Sequence, residues 1–153
     1  MTVRQIIKIL RTVKPTCPSS LKGKLRIKEL GTGIGRKAFR IADSPIVIKF
    51  PRGTEGRTQT RREIDTIRMI KTKKRFRTLR CYLPIVYYQN KKNAVIAMEF
   101  VRFDEYIAAP TIKKQFRKFF KKNSFTDIHD ENVGFNLKNK IKVIDLGYIG
   151  VTL

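Results

Sequence analysis

Asp127, Asp130, Glu131 and Asp145 fall, with Asn132, inside one stretch, FTDIHDENVGFNLKNKIKVIDLG (residues 125–147). Carboxylates and an amide oxygen are hard donors of the kind that hold magnesium against the phosphates of a nucleotide. A carboxylate near a hydroxyl can also orient it and take its proton. The clustering matters because the chain has 12 Asp and Glu against 35 Lys and Arg, a formal net charge of +23. Three further features could join such a site: the glycines of GTGIG (Gly31, Gly33, Gly35), Lys49 in IVIKF, and Glu63. Glycines let backbone N–H groups approach an anion closely. Taken singly, each has a plainer meaning. Lys49 alone reads as a strand lysine facing water, Glu63 as a solvated helix residue, GTGIG as a turn, and Asp145 as a turn-starting residue.

The elements around these residues follow from periodicity. MTVRQIIKILRTVK has apolar residues at helical spacing and is expected to dock on the domain as an amphipathic helix, followed by a Pro, Ser and Gly loop to residue 24. KLRIKEL alternates as a half-buried strand, GTGIG turns the chain, and KAFRIA and SPIVIKF read as two more strands of an antiparallel meander. In TEGRTQTRREIDTIRMIKTKKRF, Glu63, Ile67 and Ile70 recur at i, i+4 and i+7, which turns the glutamate inward on a helix. CYLPIVYYQN and NAVIAMEFV flank a polar NKKN turn as a hairpin. TIKKQFRKFFKKN gathers Ile112, Phe116, Phe119 and Phe120 on one helical face, and KIKVIDLG is a short final strand.

Order and spacing bind these parts together. A glycine turn, a strand lysine, an inward helix glutamate, a hairpin ending in Met-Glu-Phe-Val, then Asp-x-x-x-x-Asn and a strand-borne Asp-x-Gly resemble the protein-kinase-like superfamily. Asp127 and Asp145 stand eighteen positions apart, similar to the family's catalytic-loop and metal-binding aspartates. The resemblance implies an α+β, protein-kinase-like fold: an antiparallel N-lobe sheet with a regulatory-type helix, and a much reduced C-lobe. It divides the chain into residues 1–24 (helix and linker), 25–101 (N-lobe) and 102–153 (C-lobe with catalytic loop and metal-binding turn). It also implies ATP and magnesium. Gly31, Gly33 and Gly35 would cover the phosphates; Lys49 would contact the α- and β-phosphates, positioned by Glu63. Met98 would back the adenine pocket, and the backbone of Glu99 and Val101 would meet the base edge. Asp127 would take the proton of the attacking hydroxyl, while Asn132 and Asp145 hold the metal. Asp-x-His at 127–129 is more similar to the aminoglycoside and choline phosphotransferase branch, with His129 expected to pin the loop by hydrogen bonds.

Departures from the family pattern carry expectations of their own. The third glycine stands one residue early, Val47 replaces the usual alanine two positions before the lysine, and Phe125-Thr126 replaces the His-Arg before the catalytic aspartate, so control through a phosphorylated activation loop is not expected. Six residues follow Gly147. The substrate platform is therefore expected from a partner protein or a second copy, and the hydroxyl acceptor, protein Ser/Thr or small molecule, stays open.

The charge supports an alternative: a catalytically inactive kinase-like scaffold that binds nucleic acid or an acidic partner, in the manner of a viral structural or accessory protein. Arg61, Arg62, Arg68, Lys71, Lys73, Lys74, Arg75 and Arg77 would form one basic face, and Lys113, Lys114, Lys118, Lys121 and Lys122 another. Two widely separated cysteines, Cys17 and Cys81, suggest neither a disulfide framework nor a zinc site, and the expected setting is the cytoplasm, or a host cytoplasm or virion for a viral chain. No apolar run is long enough for a membrane span.

Overall fold

Thr2 starts the first helix. Its Oγ1 accepts the Gln5 N–H at 3.2 Å while Gln5 Oε1 accepts the Thr2 N–H at 2.7 Å, a reciprocal cap that satisfies two otherwise orphaned donors. Helix α1 (Val3–Val13) closes at Lys14, which is left-handed (φ 48) and donates its N–H to Leu10 O at 3.0 Å; Pro15 then prevents continuation. The computed structural model describes residues 1–103, 112, 114–116 and 132–146.

The strands are β1 (Ile27–Thr32), β2 (Arg36–Ile41), β3 (Ile46–Pro51), β4 (Val86–Asn90), β5 (Val95–Glu99), β6 (Val101–Phe103), β7 (Val133–Asn136) and β8 (Ile141–Val143), with helix α2 (Gly53–Thr72) between β3 and β4. The first five form an antiparallel sheet in the order β1-β2-β3-β5-β4, and the last three a second antiparallel sheet in the order β6-β7-β8. This is an α+β architecture with an antiparallel N-terminal sheet. The chain divides into two compact units, residues 1–61 with 85–100, and residues 62–84 with 101–153.

In the N-terminal unit α1 supplies Ile6 and Leu10 to a core completed by Leu21, Leu25, Phe39, Ile41, Ile46, Ile48, Phe50, Tyr88, Val95 and Ala97. The expected docking of the first helix is what the packing shows. Each Leu, Ile, Val and Phe among them contributes about 1.5–3 kcal/mol by leaving water. Strand β3 is central in its sheet, and Ile46 to Phe50 are all buried. A strand covered on both faces reads as a continuous apolar run rather than an alternation, which is why Lys49, water-facing when taken alone, is instead only 7% exposed.

In the C-terminal unit Ile64, Ile67 and Ile70 of α2 are buried, as are Phe76, Leu79 and Leu83. The segment expected to continue the helix through Phe76 instead tightens. α2 ends at Thr72, and Lys74–Tyr82 is a 3-10 helix in which Phe76 and Leu79 recur at the three-residue period and point inward. Arg80 stabilises the change of geometry: its Nε donates to Ile70 O at 3.2 Å and its Nη2 to Lys73 O at 3.3 Å, satisfying carbonyls at the helix end. The hairpin strand expected from Cys81 consequently begins only at Val86, after Pro84. Ile112 and Phe116 are helical and buried, and the Phe116 ring stands 6.2 Å from that of Tyr82. Phe119 and Phe120 lie outside the described residues.

Candidate functional site

In the N-terminal unit, alternation along the ladder sorts the candidates by face. Ile46, Ile48 and Phe50 belong to the core that includes α1, so Val47 and Lys49 take the opposite face. Register adds their neighbours: Lys49 lies between Ala38 on β2 and Ile96 on β5, Gly31 pairs with Ala38, and Val47 pairs with Met98. Gly31, Lys49 and Met98, distant in sequence, therefore share one sheet face. Ala38 and Ile96 belong to the same face and were not singled out from sequence, although the alternation in KAFRIA offered the signal. A lysine held at this depth needs compensation, since an isolated buried charge is far too costly.

The glycine turn is built differently at each glycine. The β1–β2 ladder slips between Glu29 and Gly31, a bulge that carries the half-exposed Leu30. The Gly33 N–H donates to Arg36 O at 2.8 Å, closing the turn, and Ile34 at its tip is 87% exposed. Gly35 is needed for packing: a Cβ there would stand 2.7 Å from Gln59 Oε1 and 3.2 Å from Gly56 Cα, and a Cβ on Gly56 would run into the Gly35 carbonyl. Gly35 O also accepts the Arg52 N–H at 2.7 Å, and Arg52 Nη1 reaches Gly33 O at 3.2 Å. The turn is thus tied to the first turn of α2, and Gly56 is a partner that sequence reading missed. Around Gly31 and Gly33 the space is open, with at most one atom within 4 Å of an added Cβ.

Glu99 plays a structural part at the end of β5. Its N–H donates to Ile85 O at 2.8 Å, and its Oε2 accepts the Ile85 N–H at 3.3 Å, so backbone and side chain together clamp the residue before β4. Its amide is therefore already engaged by the protein. The next residue is held too: the Phe100 N–H donates to Pro45 O at 2.8 Å, and the Arg40 guanidinium lies 4.3 Å from its ring centroid. Burial, with a smaller contribution from the Glu99 carboxylate, pushes the Tyr87 phenol above the ordinary tyrosine range. Val101 is buried and opens β6, paired with Asn136.

In the C-terminal unit the hairpin of β7 and β8 brings two metal-ligand candidates together. Val133 pairs with Val143, and one step beyond, the Ile144 N–H donates to Asn132 O at 2.8 Å. Asn132 and Asp145 thus emerge at the same end of one hairpin. Asp145 is left-handed (φ 64), a conformation that aspartate adopts more readily than most residues and that turns the chain out of the strand. Glu63 has no exposed surface, and its Oε1 accepts the N–H of Leu146, directly after Asp145, at 3.4 Å. The inward face read from the i, i+4, i+7 pattern is the face that the helix buries. An amide oxygen and a carboxylate are a donor set that suits magnesium, which takes one or two protein oxygens and completes its octahedron with water and phosphate. Among the described residues no group of three or more His, Cys, Asp or Glu could hold a metal. Asp127, like His129, Asp130 and Glu131, lies outside the described residues.

No protein-family model matches the sequence, and no curated protein does. Among solved structures the chain is similar to the ternary complex of streptomycin, ATP and APH(2")-IIa, with a TM-score of 0.41 and 16% identity, over 81% of this chain and 35% of that one. The chain spans about a third of that protein's length. Among the described residues no helix is long and apolar enough to cross a membrane.

Proposed function

We infer that the chain is a reduced kinase-like phosphotransferase that binds magnesium-ATP and transfers the γ-phosphoryl group to a hydroxyl acceptor. One observation carries the reading. Glu63, Asn132 and Asp145, separated by up to 82 positions in the sequence, converge in the C-terminal unit through the Glu63–Leu146 hydrogen bond and the Asn132–Ile144 ladder bond. A solvated helix glutamate would have no reason to be buried against the backbone that follows Asp145.

The roles follow from charge. A triphosphate carries about four negative charges, so its transfer requires cations and oriented dipoles already in position. Lys49 supplies a cation to the α- and β-phosphates from the sheet face that it shares with Met98, whose side chain lies behind the adenine. Glu63 is assigned the positioning of Lys49. The β1–β2 turn with Gly31, Gly33 and Gly35 covers the phosphates, and backbone at Glu99 and Val101 meets the base. Asn132 and Asp145 hold magnesium, which neutralises phosphate charge when bound. Asp127 orients the acceptor hydroxyl and takes its proton, a role contributing about 10²- to 10⁴-fold.

Replacing Lys49 by Met keeps the length and apolar stem of the side chain and removes its charge. A charge-assisted hydrogen bond contributes roughly 1.5–3 kcal/mol, so ATP affinity measured by calorimetry should fall about 10- to 100-fold. Undiminished ATP binding by Lys49→Met would remove the lysine from the site and with it this reading of the sheet face.

A further inference from the structure

Between Asp65 and Glu99 the sequence contains no acid at all, while Arg68, Lys71, Lys73, Lys74, Arg75, Arg77 and Arg80 crowd into its first half. The fold sorts these cations. Arg80 is consumed by the Ile70 and Lys73 carbonyls, and Arg75 lies over the Phe76 ring, 4.6 Å from its centroid. The other five, Arg68, Lys71, Lys73, Lys74 and Arg77, are exposed, and their side chains make no hydrogen bond or ion pair among the described residues. All five belong to the C-terminal unit.

Their backbone is rigidly held. Arg68 and Lys71 are three apart on α2, at the margin of its buried stripe: each follows a buried isoleucine, Ile64 or Ile67, by four residues, and its own side chain is exposed. Beyond the helix, the 3-10 period places Lys74 and Arg77 in one column while Phe76 and Leu79 anchor another in the core. Five exposed like charges within ten residues repel one another and favour a polyanion that would relieve them.

The character of the surface narrows the partner. The large apolar residues exposed among those described are Met1, Leu30, Ile34, Ile85 and Leu137, none of them in this segment, so the face lacks the apolar side chains that enter a lipid interface. It also lacks an exposed aromatic platform for unstacked bases, since Phe76 is fully buried. A local concentration of exposed cations without stacking groups suits the phosphate backbone of a duplex. We propose that the exposed face formed by Arg68, Lys71, Lys73, Lys74 and Arg77 is a sequence-independent docking surface for double-stranded nucleic acid. It stands independently of the phosphotransferase reading.

The test is fluorescence anisotropy of the full chain with labelled 20-base-pair duplexes, one DNA and one RNA, across a salt series. Five phosphate contacts contribute about −4.5 to the slope of log affinity against log salt. The variant with Arg68, Lys71, Lys73, Lys74 and Arg77 all changed to Gln should lose that share of the slope, so that its deficit against the wild type grows about 20-fold each time the salt is halved. A control variant with Arg4, Lys8, Arg11, Lys22 and Lys24 changed to Gln loses the same net charge from exposed positions elsewhere and should keep its affinity within about threefold, the screened long-range share. Either duplex behaving in this way supports the surface, and the tighter one identifies the source. The proposal is overturned if both variants lose affinity equally, if neither does, or if a single-stranded 20-mer or phosphatidylserine vesicles bind as tightly as the duplexes. Matching thermal midpoints of the two variants guard against misfolding, and if the five-site variant fails to fold, the single Lys74→Gln variant should still lower the slope by about 0.9.

Discussion

Individual side chains here take their properties from one or two identifiable neighbours. Cys17 is exposed at the start of a 3-10 turn (Pro18–Leu21), and the Ser19 hydroxyl 3.0 Å from its Sγ, followed by the Ser20 amide and the Thr16 hydroxyl, holds its thiol below the ordinary range. A lowered thiol pKa enlarges the thiolate fraction at a given pH. In a Cys81→Ser background, the pH midpoint of iodoacetamide labelling should therefore fall below that of a free thiol, and Ser19→Ala should move it upward; an unmoved midpoint would mean that the Ser19 contact is not the cause. Glu63 is the buried counterpart. Changing it to Ala strands the Leu146 N–H, and an unsatisfied buried donor costs about 1–3 kcal/mol. Urea denaturation should show a loss of at least that size for Glu63→Ala and a smaller one for Glu63→Gln, which keeps an acceptor oxygen for the Leu146 N–H though not the charge. Equal losses would point to packing rather than to this hydrogen bond.

Element by element, the strongest restraint on the glycine turn comes from α2. Gly56→Ala drives a methyl group into the Gly35 carbonyl, where backbone rather than a flexible side chain must yield. Such overpacking costs about 1–3 kcal/mol. Gly31→Ala meets no atom within 4 Å, and its stability in the same denaturation assay should stay close to wild type. Comparable losses for the two would contradict the close approach of turn and helix. The elements themselves were legible where periodicity was clean. α1, the β1–β2–β3 meander and the inward face of α2 follow from spacing alone, and Glu63 from its register with Ile67 and Ile70. What escaped did so for physical reasons. The 3-10 segment after Thr72 has a period that differs from that of the α-helix by less than one residue per turn, and its charges conceal Phe76 and Leu79. Strands β6 and β7 are three or four residues long, too short for an alternation to register, whereas β8 falls within the strand expected from KIKVIDLG. The Gly35–Gly56 approach depends on tertiary placement that no local pattern encodes.

As a whole, the molecule combines two chemistries of opposite sign. A net charge of +23 attracts any polyanion, ATP included, so nucleotide affinity by itself distinguishes nothing. The candidate residues divide between the units: Gly31, Gly33, Gly35, Lys49, Met98 and Glu99 in the N-terminal one, and Glu63, Val101, Asn132 and Asp145 in the C-terminal one. Order and spacing in the sequence suggested the set. The sheet register and the hairpin explain how candidates distant in sequence come together within each unit. Asp145 separates a metal-dependent nucleotide site from general attraction to basic surface, because the two respond to its loss with opposite signs. The most direct measurement is ATP binding at about 0.15 M salt, where surface charge is partly screened, with and without magnesium, for the wild type and Asp145→Asn. A phosphotransferase site predicts that magnesium strengthens binding to the wild type and that this increment disappears in Asp145→Asn. Binding that is unchanged or tighter in Asp145→Asn, with the same response to magnesium, would contradict it and leave a basic protein that attracts ATP by charge alone.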